Sequence, residues 1–217
     1  TLNTLRLGME GLRVARLTGY FDDNAGTEAR WAAVTAATAL GACNEVELAG
    51  TEKARAAAFI ITASEGGALH FANLCDRPHE FEPLSVERLT AGTLVPASWY
   101  QYAQRYRRAY LERMLALFDQ YDLLIAPATP VTAPLLGQPH INIGTRQLPT
   151  RPNLGLLTQP ISFVGMPVAV APLWPDGGLP IGVQLIAAPW REDICLRAAW
   201  ELQEQGLAFS RNIGIAS

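Results

Sequence analysis

Residues 121–130 read Tyr121-Asp122-Leu123-Leu124-Ile125-Ala126-Pro127-Ala128-Thr129-Pro130. From Asp122 to Ala126 the run is nearly continuous in apolar side chains. It stops at Pro127, which has no N–H to give to a strand ladder. This is the pattern of a short strand buried on both faces. Val168 to Leu173 and Ile181 to Ala187 repeat it, and Leu12 to Leu17 adds an alternating strand that follows Gly11 and ends at a loop over Gly19 to Gly26. Val46 to Leu48 reads as one more short strand. Helical patterns lie between them. Trp31, Val34, Ala37 and Leu40 recur at three-residue steps in an Ala-rich stretch opened by Thr27 and stopped by Gly41. Thr51 is placed to cap a helix from Glu52 to Phe71, with Ala56, Phe59, Ile60 and Ala63 along one face. Ser98 to Asp119 forms a long amphipathic helix, and Glu192 to Gln205 forms the last one before Gly206. Asp76 to Ser85, broken by Pro78 and Pro83, reads as an irregular surface crossing. The proline-rich stretch from Pro130 to Pro160 reads as a long loop with no regular element, of the kind that shapes or covers a site. The whole predicts an α/β protein with a mixed, largely buried sheet flanked by helices.

Composition narrows the function. With 217 residues, 49% hydrophobic and 17% charged, the chain can bury a core, so disorder is excluded as its main state. A net charge of -3 leaves no basic footprint for a nucleic-acid backbone. The row of Trp99, Tyr102, Tyr106 and Tyr110 with Arg105, Arg107 and Arg108 therefore reads as helix packing rather than a base-stacking face. The longest apolar runs, such as Ile161 to Leu173, are interrupted by Ser162, Gly165, Pro167 and Pro172, so no membrane span is expected. Cys43, Cys75 and Cys195 are odd in number and far apart, as free thiols in a reducing cytoplasm would be. The chain opens Thr1-Leu2-Asn3, without Met and without a signal peptide, which leads us to expect a piece of a longer polypeptide.

The reactive side chains are few. Lys53 is the sole lysine among 17 basic residues, and arginine does not serve as a base near neutral pH, so a mechanism needing a neutral lysine must use Lys53 or residues outside this chain. His70, Cys75 and His79 lack zinc-site spacing, so no metal is expected. Gly66-Gly67 sits inside a helix rather than before one, so no phosphate loop is expected, and no other cofactor is implied. No serine stands in a nucleophile elbow. Only Ser64, in Thr62-Ala63-Ser64-Glu65-Gly66-Gly67, lies near glycines, and it reads as a helix residue bonding to its own preceding turn. Residue chemistry alone yields no catalytic constellation.

A resemblance carries the reading further. The 121–130 block, then Thr158-Gln159-Pro160-Ile161-Ser162-Phe163-Val164-Gly165-Met166-Pro167 and Leu179-Pro180-Ile181-Gly182-Val183-Gln184-Leu185-Ile186, are similar in order and spacing to the closing half of amidase signature family enzymes. Arg88-Leu89-Thr90-Ala91-Gly92-Thr93, followed by Tyr100 and the long helix, also matches. The resemblance runs from about Leu12 to the end. It implies an amidase signature fold of which residues 1–217 are the C-terminal part of a single domain. It also implies amide hydrolysis by a Ser-cis-Ser-Lys triad with a backbone oxyanion hole. Nothing here matches the family's Gly-Gly-Ser-Ser-Gly-Gly stretch, and Lys53 stands far downstream of the family lysine. The triad is therefore expected outside this chain, and the segment alone is expected to be inert.

Three further blocks, 94–100, 151–160 and 187–193, resemble the 1-carboxybiuret hydrolase branch, which acts in cyanuric acid degradation. That branch implies a small carboxylated urea-type amide as substrate and ammonia as product. The other readings are a general amidase, the glutaminase subunit of a tRNA-dependent amidotransferase, or a non-catalytic scaffold half. The glutaminase branch holds its substrate ammonium with an acidic residue, and Gly155 stands at that position here. A buried ammonium without its counter-charge is costly, which argues against an α-amino acid substrate. Arg88 matches an arginine that binds substrate carboxylate in the glutaminase branch, and a guanidinium can hold a carboxylate through two parallel hydrogen bonds. Without the resemblance, Arg88 reads as an ion-pair partner of Glu82 or Glu87. Asn153 and Thr158 are the other candidates for substrate contact, with turn stabilisation as their alternative role. Expected partners are the missing N-terminal half of the domain and the small amide, with a homo-oligomer and a small accessory subunit left open.

Overall fold

The computed structural model describes residues 4–210, so the expectation about Thr1-Leu2-Asn3 lies outside the described residues. Strand β1 (Val14–Leu17) leads through a single helical turn, α1 (Tyr20–Asp23), into α2 (Thr27–Ala39), the short β2 (Asn44–Val46) and the 26-residue α3 (Thr51–Asp76). A 3₁₀ turn at Pro78–Glu80 precedes α4 (Pro83–Thr93) and α5 (Ala97–Phe118). Then come β3 (Leu123–Pro127), β4 (His140–Ile143), β5 (Arg146–Pro149) and two single turns, α6 (Thr150–Asn153) and α7 (Gln159–Ser162). Strands β6 (Val168–Leu173) and β7 (Ile181–Ile186) and helix α8 (Glu192–Glu204) complete the described chain.

The main sheet has the order β2-β1-β3-β7-β6. β1 runs parallel to both β2 and β3, while β7 is antiparallel to β3 and to β6, so the sheet is mixed. β1 and β3 are buried throughout, as their unbroken apolar character requires. Helix α2 lies on β1, β3 and β7, and α8 lies on β6 and β7. The alanines of α2 at 29, 32, 33 and 36 are fully buried, and their small size lets the helix approach the sheet closely. A second group of helices forms around α3, which packs against α4 and α5. Tyr110 of α5 joins the two parts: its ring is fully buried in the main core, and its hydroxyl meets Thr51 Oγ1 at 3.0 Å at the start of α3.

Three expectations need correction. The strand expected at Val46–Leu48 lies at Asn44–Val46, because the parallel register with β1 pairs Ala15 with Asn44 and Leu17 with Val46. Leu48 instead turns into α3, where its carbonyl accepts the Thr51 hydroxyl. The stretch from Pro130 to Pro160 is not irregular throughout. It holds an antiparallel hairpin, β4–β5, reversed at Gly144, whose φ of 58° a side chain would resist. It also holds α6 and α7. Finally, the Asp76–Ser85 crossing is shorter than expected, since α3 continues to Asp76 and α4 begins at Pro83, a residue suited to a first helical turn.

Candidate substrate pocket

Helix α4 presents Arg88. Its N-cap is Glu82, whose carboxylate accepts the Ser85 amide at 2.9 Å, and its buried stripe of Leu89 and Gly92 lies on α3. Arg88 is exposed, and among the described residues its guanidinium makes no hydrogen bond, ion pair or ring contact. The pairing with Glu82 or Glu87 read from the sequence does not form. Glu82 is taken from across the fold by Arg151 of α6, with Nη1–Oε1 and Nη2–Oε2 both 2.7 Å, and this guanidinium pulls the Glu82 carboxyl down to about 2.

The segment that follows α6 is fixed from several sides. Arg55 of α3 donates through Nη2 to Pro152 O at 2.9 Å and to Asn153 Oδ1 at 3.0 Å. Asn153 Nδ2 donates to Pro149 O at 2.8 Å, so the buried Asn153 amide is engaged at both ends and serves as a strut. Tyr20 donates its hydroxyl to Leu156 O, and the buried Gln184 of β7 donates to both Leu157 O and Pro127 O. Thr158, half-buried, places Oγ1 3.5 Å from Gly155 O, a weak turn contact. Burial raises the Tyr20 phenol to about 12, so it remains a donor at physiological pH.

Two cavities adjoin this region. The larger, about 1040 Å³, lies between α1, the first turns of α3, the β4–β5 hairpin and α6; Tyr20, Arg55, Arg146 and Asn153 line it, but Arg88 and Thr158 do not. The other, about 650 Å³, lies among α3, α4 and α5 and is lined by Ser64, Glu65, Gly92, Thr93 and Tyr100. Ser64 corrects another expectation. Its hydroxyl oxygen is buried with no partner, whereas the residue that bonds back to its own helix is Thr62, to Ala58 O at 2.9 Å. The cause is the α4 crossing, where Gly92 lies against the carbonyl of Ala63 and the amide of Ser64. Lys53 offers Ser64 no base: it is exposed in the first turn of α3, eleven residues or roughly 16 Å away along the axis.

The other candidate groups take structural places. His70 packs edge-on against Phe81 with centroids 5.6 Å apart, and among the described residues no three His, Cys, Asp or Glu side chains gather as metal ligands would. Of the aromatic row on α5, Tyr106 donates to Gly50 O and Tyr110 meets Thr51, while Trp99 and Tyr102 stay exposed. Among the described residues no helix is long and apolar enough to cross a membrane. Sequence reading did not single out Arg151, Arg55 or Gln184. Their pairings cross 69, 98 and 57 positions, beyond any local period, and only Gln184 carried a signal, as a lone amide in an apolar strand.

A mixed sheet with this helix arrangement, and an arginine-bearing helix beside a braced loop, agree with what the amidase family model matches over residues 8–196, and the chain belongs to that family. AtzE, one of the subunits of the 1-carboxybiuret hydrolase of Pseudomonas sp. (strain ADP), is 54% identical over 206 residues, covering 94% of this chain and 45% of that protein. The corresponding glutamyl-tRNA(Gln) amidotransferase subunit of Symbiobacterium thermophilum is 32% identical over 149 residues, 65% of this chain and 29% of that protein. Among solved structures, one described as an unexpected vestigial protein complex revealing the evolutionary origins of an s-triazine catabolic enzyme superposes with a TM-score of 0.94. It is 52% identical and covers 97% of this chain and 46% of its own. The chain thus spans less than half the length of the relatives it matches.

Proposed function

We propose that residues 1–217 are the C-terminal part of a single amidase domain in an amidohydrolase that cleaves a small carboxylated urea-type amide, resembling 1-carboxybiuret, and releases ammonia. The observation that carries this is Arg88: an exposed guanidinium with no internal partner, on a chain 54% identical to a 1-carboxybiuret hydrolase subunit. In this reading Arg88 binds the substrate carboxylate through charge-assisted hydrogen bonds, while the loop carrying Asn153, Gly155 and Thr158 forms the facing wall. Asn153 acts there chiefly through the backbone it fixes, and Thr158 through the turn to Gly155. Gly155, lacking a side chain, supplies no carboxylate for an α-ammonium, which favours the urea-type amide over glutamine. The nucleophile and its lysine base come from the half of the domain outside this chain, because Lys53 and Ser64 are about three helical turns apart. These residues alone should therefore release no ammonia.

The test uses the full-length enzyme with any accessory subunit it requires. Ammonia release should follow with a carboxylated biuret and be weaker with biuret and glutamine. Arg88→Ala should lower kcat/KM for the carboxylated substrate by roughly 10- to 100-fold, the equivalent of about 1–3 kcal/mol of lost bonding, and affect neutral amides far less. An equal loss on both substrates would remove Arg88 from the carboxylate site, and no ammonia from any of these amides would remove the activity itself.

A further inference from the structure

Arg88 shares its side of α4 with a carboxylate that should, by local geometry, capture it. Glu82 caps the helix, Ser85 follows, and Arg88 lies three residues beyond Ser85, so Ser85 and Arg88 are surface neighbours. Helical side chains lean toward the N-terminus, which tilts Arg88 back toward Glu82. Six residues correspond to about 9 Å of axial rise, within the joint reach of an arginine and a glutamate side chain. An internal Arg88–Glu82 pair is thus the expected local outcome, yet it is absent.

The reason is that Glu82 is saturated. Arg151 binds both of its oxygens, and Ser85 donates to Oε2 through both its amide and its hydroxyl at 2.9 Å. The Arg151 Nη2 group also reaches Ser85 Oγ at 3.2 Å, so the guanidinium lies on the same stretch of α4 that leads to Arg88. The Arg151 and Glu82 side chains are 56% and 48% exposed, and exposed pairs of this kind contribute little to stability. Holding the fold together is a poor account of so fully made a contact.

We infer that Arg151 is a positioning residue whose role is to sequester Glu82, leaving the Arg88 guanidinium free for the carboxylate of a substrate. This rests on the reading of Arg88 given under Proposed function. If Arg151 is removed, Glu82 becomes a tethered competitor for Arg88, and carboxylate affinity falls by the fraction of time that Arg88 is captured. Once the competitor's charge is removed as well, that loss disappears.

The experiment measures kcat and KM of the full-length enzyme with a carboxylated biuret and with biuret. Arg151→Met should raise KM for the carboxylated substrate about three- to fivefold, the occupancy an exposed pair of ordinary strength would give, with kcat and the biuret KM nearly unchanged. The double variant Arg151→Met/Glu82→Gln should bring KM back to within twofold of the parent. Glu82→Gln alone, which breaks the ion pair without creating a competitor, should also stay within twofold, and it keeps the test decisive if Arg151→Met does not fold. The inference is overturned if the double variant is as impaired as the single one, if Glu82→Gln alone raises KM to the same extent, or if both substrates respond equally to Arg151→Met. Arg88→Ala is measured in parallel. If it leaves the carboxylated substrate untouched, the reading of Arg88 fails and takes this inference with it, whereas a normal Arg88→Ala response with no effect of Arg151→Met sinks the inference alone.

Discussion

Gly92 is the position where one methyl group should cost most. A Cβ built there would lie 1.9 Å from the Ala63 carbonyl oxygen and 2.5 Å from its carbon. Ordinary contact needs about 3.5 Å, so α4 would have to retreat from α3 by roughly 1.5 Å. The obstacle is helix backbone, which cannot turn aside. Gly67 repeats the fit from the other side, with Leu89 O at 2.6 Å and Thr93 N at 2.8 Å from its own notional Cβ. A gap of 0.5–1 Å already forfeits a quarter to a half of each dispersion contact, so a larger retreat strips the packing of Leu89 along the crossing. Overpacking of this kind costs about 3 kcal/mol, and Ala regains about 1 kcal/mol in helix propensity, leaving Gly92→Ala near 2 kcal/mol destabilised. Urea unfolding of the full-length protein should show a lower midpoint with an unchanged slope. Gly155→Ala is the control: its Cβ would meet only Thr158 Oγ1, at 3.8 Å, and should change stability by less than about 0.5 kcal/mol. A Gly92→Ala protein as stable as that control would refute the close crossing, and with it the explanation for the unpartnered Ser64 hydroxyl.

Gln184→Leu should destabilise by roughly 2–4 kcal/mol, because the carbonyls of Pro127 and Leu157 lose their common donor inside the core; a thermal shift indistinguishable from the parent would contradict this. Burial raises the Cys195 thiol to about 11, while Cys43 and Cys75 are exposed. At pH 8, thiol labelling followed by peptide mapping should therefore find Cys43 and Cys75 modified, and Cys195 modified only after denaturation. The hydrogen bond from Arg13 holds the Asp122 carboxyl below its usual 3.8. Its contribution to stability is then present above the unfolded-state value and is lost as pH falls through the lower folded value. Asp122→Asn should accordingly flatten the acid limb of a Tm–pH curve below about pH 4, and an unchanged limb would show the pairing to be inert.

The parts of the fold that were legible in sequence are those in which every residue reports the same environment. Leu123 to Ala126 could be read because both faces of β3 are buried, and α2 because alanines repeat along one face. The β4–β5 hairpin was missed although His140-Ile141-Asn142-Ile143 alternates in the way its exposed and buried pattern shows; the surrounding prolines weighed more than four residues of period two. Helix α4 was hidden for a similar reason, since Pro83 was read as a break when it opens the first turn. At the site the limit is of another kind. Arg88 has no local signature and entered through the family resemblance. From local spacing its partner should be Glu82, and that expectation failed for a reason no window of sequence contains: an arginine 69 positions away arrives with both nitrogens aligned to both oxygens. A bidentate approach from a separate helix can satisfy that geometry, whereas a residue leaning back along the same helix reaches the carboxylate only edge-on. The tertiary fold therefore decides which of two arginines is neutralised, and so which one remains to meet a ligand.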